Sequence, residues 1–286
     1  MSRPYVGCLC EEDYPDIKTG VELAWNVVGY FKNNKCRIDV PTERRFWEWG
    51  SAVQLMLTSF DGHNREFVKV LNVGAGWDGL GVTLAEQNFD VTECEPEDSY
   101  RQGREWVNAV LIRDGRNPIT LLPNGLDNLP KEQYDAVFCM SVLEHVHDEE
   151  QCWVRLGNRV KPGGLLFLTV DCVEDAKKNY VADNVRVTKY TPELLKQRVD
   201  MMVKSGFNTL GTPDYEWKGA MVEDYTFFRA GFQKHGEGVK NENLFSNDLA
   251  GQVRSSGVRS EPTPVYGEGV RVPDLQPTHR WWNRGK

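Results

Sequence analysis

The chain has 286 residues, 40% of them hydrophobic and 27% charged, with a formal net charge of −8. This is the balance of a globular protein, long enough to close one large domain or two modest ones around a real core. No apolar run reaches the roughly 18 residues that a membrane span requires. Residues 233–286 carry eight basic and six acidic side chains, so the negative charge is concentrated in residues 1–232. An acidic body lacks the basic surface that neutralises phosphates, which disfavours nucleic acid as a partner.

The first residues, MSRPYVGCLCEEDYP, have no basic segment followed by an apolar stretch and do not read as a secretory signal. Seven cysteines are an odd number, and none sits in a CxxC pair. That pattern predicts reduced thiols and no metal site, in a reducing, cytoplasmic compartment.

Residues 1–40 mix short apolar runs with Pro, Asp and Asn, show no sustained period, and read as a lead segment that packs against something larger. In 41-PTERRFWEWGSAVQLMLTSF-60, Phe46, Trp49, Val53, Met56 or Leu57, and Phe60 recur at steps of three and four, the spacing of one buried helix face, with Thr42 as N-cap. From Phe67 onward strand-like and helix-like segments alternate. The strands are 67–73, 89–95, 118–122, 134–140, 164–170, 207–212 and 223–232; the helices are about 80–88, 98–113, 148–160 and 191–205. Short apolar strands separated by helices predict an α/β domain with a parallel sheet covered on both faces. The last two strands are too close in sequence for a helical crossover and should pair as an antiparallel hairpin. Residues 235–286 are rich in Gly, Pro, Ser and Asn and end in Trp281-Trp282 and a few further residues. Such a segment cannot offset its own ordering entropy, so it reads either as a flexible tail or as an element that docks on a partner. The expected organisation is a lead segment over 1–40, a main domain over 41–232 and a tail over 233–286.

The chemistry concentrates in 71-LNVGAGWDGLG-81. A strand that runs into Gly74-x-Gly76-x-x-Gly79 and then a helix permits tight torsions and close approach of a ligand, while free amides favour electron-rich groups. Glu95, about twenty residues on at the end of the next strand, is placed to accept hydrogen bonds from ribose hydroxyls. Any nucleoside cofactor satisfies that much, and GxGxxG by itself leans toward nicotinamide dinucleotides. Two further stretches shift the balance. 141-SVLEHVHDEEQCW-153 follows the fourth strand, and 160-VKPGGLLFLTVD-171 opens the fifth with a proline-fixed, glycine-permitted turn.

In that order and spacing, LNVGAG, Glu95, SVLEHV and KPGG resemble the class I S-adenosylmethionine (SAM)-dependent methyltransferases, in particular their small-molecule branch, over about residues 41–232. The resemblance implies a Rossmann-like seven-stranded sheet of order 3-2-1-4-5-7-6 with strand seven antiparallel, and SAM across the carboxyl ends of the first strands. It implies Gly74, Ala75 and Gly76 along the methionine and ribose portions, Glu95 at the ribose, Pro96 beside the adenine, and Ser141 and Val142 beneath the methionine end. Where the family usually has a Gly-Asp pair before the adenine-facing loop, this chain has 124-NGLDNLP-130. Gly125 stands at the usual acid position, leaving Leu126, Asp127 or backbone amides for the adenine. Two departures stand in the loop: Asn72 replaces the common strand-one acid, and Asp78 the usual third glycine, with Gly79 one step later. Asn72 can hydrogen-bond but brings no charge toward the cofactor's ammonium.

Methyl transfer needs a base only where the acceptor must lose a proton, and His145 is the candidate, with a structural tie of the loop as its other role. His147 is expected to face solvent. Asp171, Glu174 and Asp175 read as charged loop residues more readily than as cation ligands. Trp47, Trp49, Tyr215 and Trp217 suit either an acceptor pocket or the core. The chain lacks both the Pro-Pro-aromatic sequence of amino-methylating DNA enzymes after strand four and a Pro-Cys nucleophile. The expected function is therefore methyl transfer to oxygen or nitrogen of a small-molecule or glycan-like acceptor. The rival from another class is a non-catalytic methyltransferase fold that joins an assembly through its tail, and a nicotinamide-linked oxidoreductase comes third.

Overall fold

The computed structural model describes residues 5–38, 43–178, 187–221 and 224–236. The proposed N-cap Thr42 and nearly all of the tail, with its terminal tryptophans, lie outside the described residues. In chain order the elements are β1 (Val6–Cys8), α1 (Tyr14–Asn33), α2 (Glu43–Ser59), β2 (Lys69–Val73), α3 (Leu80–Glu86), β3 (Asp90–Cys94), α4 (Asp98–Arg113), β4 (Thr120–Leu122), β5 (Tyr134–Met140), α5 (Glu149–Asn158), β6 (Val160–Cys172), α6 (Pro192–Lys204), β7 (Phe207–Thr209) and β8 (Thr226–Lys234).

One sheet organises them. The path β4-β3-β2-β5-β6-β8, with β7 also on β8, is the expected order 3-2-1-4-5-7-6. β2, β3, β4, β5 and β6 pair in parallel, while β8 runs antiparallel to β6 from Leu165↔Gln233 to Cys172↔Thr226. β7 forms the expected hairpin partner, antiparallel to β8 over Phe207↔Lys234 to Thr209↔Phe232. The lead segment adds a strand of its own: β1 pairs with the same edge of β8 further along, Val6↔Ala230 to Cys8↔Phe228. β1 and β7 thus share one edge of β8.

Alternation along each strand divides the core. Val70, Val91, Ala136, Phe138, Leu165 and Phe167 face the layer of α1, α2, α3 and α4, whereas Leu71, Val73, Val137, Cys139, Leu166, Leu168 and Val170 face α5 and α6 through Trp153, Leu156, Leu195, Val199 and Met202. Helices cover both faces, as expected. Among the described residues no helix is long and apolar enough to cross a membrane. All seven cysteines are free and buried; burial pushes the Cys10 and Cys94 thiols up to about 12, which keeps them protonated and inert.

The lead segment corrects the sequence reading. Residues 14–33 do carry a helical period, burying Ile17, Gly20, Val21, Ala24, Val27, Val28 and Phe31. Its pattern is masked because small residues occupy the face where α1 meets α2. A Cβ on Gly20 would stand 2.1 Å from the Gly50 carbonyl oxygen, and one on Gly50 2.3 Å from Val21 Cγ2. The two backbones touch where a hydropathy reading sees only glycine.

Candidate active site

The glycine turn leaves β2 at the carboxyl edge of the sheet. Gly74 and Gly76 both adopt positive φ, +69° and +48°, torsions that cost a side-chain-bearing residue free energy. At Gly74 space is also short, since a Cβ would come within 2.6 Å of Val142 Cγ2; at Gly76 a Cβ would meet nothing within 4 Å. Gly76 therefore opens onto empty space. Across that space stands Glu95. Its Oε2 accepts the Gly76 N–H at 3.0 Å and its Oε1 accepts the Glu97 N–H at 3.0 Å, so loop and carboxylate look into one cleft. A carboxylate has about four lone-pair sites, and two backbone bonds leave capacity for hydroxyl donors.

A pocket of about 180 Å³ continues from the turn, lined by Arg45 and Trp49 of α2, Gly74, Ala75, Trp77 and Asp78 of the turn, and Met140 at the end of β5. Trp77 forms a wall and does not fill the cleft. Its indole is seated on Gly103 of α4, stands edge-on to Tyr100 at 4.9 Å and lies under the Arg37 guanidinium at 4.1 Å. Of the four aromatic candidates for a pocket, Trp49 alone lines this one. Trp47 packs on Tyr14, and Tyr215 stacks on Phe228 on the other side of the sheet, where Trp217 also packs.

Several sequence-singled residues sit differently from expectation. Gly79, counted with the cofactor glycines, is directed at the helices: a Cβ there would meet Val28 Cγ2 at 2.4 Å and Trp49 at 3.0 Å. It permits α1 and α2 to close on the turn. Asp127, the suggested substitute for the missing adenine-facing acid, is 90% exposed and ion-paired at the surface with Arg155 of α5. Leu126 beside it is buried, and Gly125 faces Pro96, a Cβ there lying 3.7 Å from Pro96 Cγ. His145 and His147 are both exposed. His145 closes a single turn, Leu143–His145, its N–H bonded to the Val142 carbonyl at 3.0 Å. The structural tie in that turn falls to Glu144, whose backbone carbonyl accepts the Val187 and Thr188 amides and whose Oε1 accepts the Asp171 N–H.

Two buried charged clusters support the cleft, and the sequence reading found neither. Beneath the turn, Arg104 of α4 donates from Nε to Glu93 Oε2 at 2.7 Å and from Nη2 to the Asp78 carbonyl at 2.5 Å and Asp78 Oδ1 at 3.3 Å. Burial beside Glu93 raises the Asp78 carboxyl to about 7 despite the guanidinium. Beneath the ends of β5 and β6, Glu48 of α2 is fully buried and accepts the hydroxyls of Ser141, at 2.6 Å, and Thr169. Arg45 Nη1 reaches Glu48 Oε2 at 3.0 Å. Burial, and after it the Asp171 charge, holds the Glu144 carboxyl well above the usual range. Ser141 sits at φ +51°, a torsion rare for serine, and its N–H is bonded to the Thr169 carbonyl at 2.9 Å. One signal was available: Glu93 lies two residues before Glu95 and so shares its face of β3. Arg45 and Glu48 read as the polar face of α2, and nothing in the sequence singles out Arg104. No group of three metal-ligating side chains occurs among the described residues.

The residues present fit an adenosyl cofactor on three counts: the empty space over Gly76, the carboxylate across it, and the pocket that leads from both toward β5. Comparison with known proteins agrees. Residues 71–168 match the model of a methyltransferase domain family. The chain is 29% identical over 115 residues to the ubiquinone biosynthesis O-methyltransferase of Rickettsia conorii, covering 40% of this chain and 38% of that one; for the Rickettsia canadensis protein of the same name the figures are 29%, 40% and 46%. The match thus spans less than half of these relatives. In three dimensions the chain is similar to the [4+2]-cyclase SpnF, with a TM-score of 0.53 at 14% identity over 79% of this chain and 94% of that one, a likeness of fold alone. Residues 71–168 thus carry a methyltransferase domain, and the sheet around it has the strand order that the resemblance to class I SAM-dependent methyltransferases implied.

Proposed function

We propose that this protein binds SAM and transfers its methyl group to oxygen or nitrogen of a small-molecule or glycan-like acceptor. The observation that carries the reading is the shared cleft of the Gly74–Gly76 turn and the Glu95 carboxylate, joined by a 3.0 Å bond from Gly76 N–H and continued by a pocket toward Met140. When bound, SAM supplies an electrophilic methyl on a sulfonium, open to in-line displacement. The protein's part is alignment and exclusion of water. In this reading Gly74, Ala75 and Gly76 give the backbone room for the cofactor, Glu95 accepts from the ribose hydroxyls, and Pro96, Gly125 and Leu126 flank the adenine. Ser141 and Val142 pass beneath the methionine end, with Ser141 pinned by Glu48. His145, exposed on the turn that follows, is the group able to take a proton from a hydroxyl acceptor as the methyl arrives, or from an ammonium acceptor before its nitrogen attacks. Relatives named as O-methyltransferases favour oxygen. Isothermal calorimetry with S-adenosylhomocysteine tests the cofactor half of this reading, with saturable binding expected; no heat at millimolar ligand from folded protein rejects it.

A further inference from the structure

The two departures from the family pattern in the glycine turn meet in space. Asn72 stands where the strand commonly ends in an acid, and its Nδ2 lies 3.3 Å from Oδ2 and 3.5 Å from Oδ1 of Asp78, which stands where glycine is common. A carboxylate is thus supplied beside the strand position that lacks one. It is held in place, because Asp78 Oδ1 also accepts the Leu80 N–H at 3.1 Å and Arg104 Nη2 at 3.3 Å. Arg104 does not cancel it, since the same guanidinium serves Glu93 at 2.7 Å and two acids share one cation.

Two features give this carboxylate a ligand. Asp78 lines the pocket that Arg45 also lines, so the pocket wall carries charges of both signs. Asn72 is fully buried, and its Oδ1 has no hydrogen-bond donor among the described residues, a condition that native structures rarely tolerate without a water or a ligand. A carboxylate and an unsatisfied carbonyl oxygen side by side ask for a group that only donates. An ammonium, with three N–H donors and no acceptor, is such a group.

On the reading that the cleft holds an adenosyl cofactor, we propose that Asp78 and Asn72 together bind the α-ammonium of its amino-acid end, the carboxylate standing six residues beyond the strand position, with Arg45 as the cation in the same pocket for the α-carboxylate. The pair is specificity-determining: it separates a full amino-acid-bearing cofactor from a bare adenosyl thioether.

The test compares two ligands on the full chain by calorimetry. S-adenosylhomocysteine carries the amino-acid end, and 5′-methylthioadenosine lacks it. Asp78→Asn keeps shape and removes charge; it is expected to weaken S-adenosylhomocysteine by about tenfold or more, the worth of a charge-assisted hydrogen bond, and to leave 5′-methylthioadenosine within about twofold. The exchange Asn72→Asp with Asp78→Asn returns the carboxylate to the strand and is expected to bring S-adenosylhomocysteine back to within about threefold of wild type. Thermal unfolding of each variant establishes that it is folded. The proposal is overturned if Asp78→Asn weakens both ligands equally or neither, or if the exchange restores nothing. A wild type that binds both ligands equally well overturns it while leaving the adenosyl reading intact; a folded wild type that binds neither overturns both.

Discussion

Two arginines, each among buried carboxylates, flank the same pocket and do different work. Arg104, 2% exposed, braces the glycine turn from below by joining α4 to Glu93 of β3 and to both the carbonyl and the carboxylate of Asp78. Arg45 stands at the pocket wall with its guanidinium over the Phe227 ring at 5.0 Å, and the cluster around it, Glu48, Glu144 and Asp171, holds three acids to one cation. In the first cluster geometry depends on the cation. In the second, hydroxyls and amides carry much of the load through Ser141, Thr169 and the Asp171 N–H, and burial lessens the surplus charge by shifting the Glu144 carboxyl toward its neutral form. A buried ion pair therefore has no fixed worth; what matters is whether the acids left behind have other donors or can take up a proton.

Removing each cation should expose the difference. Arg104→Met strands Glu93 and Asp78 in the core, with an expected loss of about 3–5 kcal/mol in urea unfolding, and Glu93→Met added to it is expected to recover much of that loss. Failure of the second change to recover anything would show that Arg104 acts through packing and not through charge. Arg45→Met should cost less, about 1–2 kcal/mol at pH 7, because Glu48 keeps its two hydroxyl donors and burial shifts Glu144 toward its neutral form. Equal losses at the two sites would break the comparison.

The pH slopes read the same two clusters through their carboxyls. Glu144 and Asp78 both have carboxyls raised above their unfolded values, so the native state binds protons that the unfolded chain has lost. Their favourable contribution is complete below about pH 4 and declines as pH rises toward each native value. For Asp78 that decline ends near pH 7, and Asp78→Asn should flatten the stability profile between about pH 4 and 7. Glu144→Gln, a neutral mimic of the protonated acid, should remove a slope that starts in the same place, leaving the variant at least as stable as wild type at pH 8. Urea titrations across pH read both effects, and a steeper slope in either variant would contradict the assignment. Ligand binding carries the opposite sign: if Asp78 must be ionised to hold an ammonium, affinity for S-adenosylhomocysteine rises as pH passes upward through about 7.

Much of the fold was legible because its elements declare themselves locally. The strand runs 134–140 and 207–212 and the helix at 98–113 recur in β5, β7 and α4 with ends shifted by few residues or none, since apolar periodicity and turn glycines act within a dozen residues of chain. The short gap before β8 already implied an antiparallel hairpin. What escaped has a common physical cause. α1 hides its buried face behind Gly20 and Ala24 because the partner backbone of α2 comes close there. β1 spans three residues whose sole reason to be extended is the free edge of β8. Gly79 looked like a third cofactor glycine and proves to be a packing glycine for the same helices.

The amino-acid sequence by itself determined the class of sheet, the position of the glycine turn and the acid across from it, because these follow from patterns along one strand and the turn after it. Tertiary structure alone decided that Asp78 stands against Asn72 and Arg104, that Arg45 joins Asp78 at the pocket wall, and that Gly79 faces α1 and α2. Those pairings join residues six to about fifty positions apart. No local rule carries them; they exist because packing two helical layers onto one sheet leaves each buried charge needing a partner from another element.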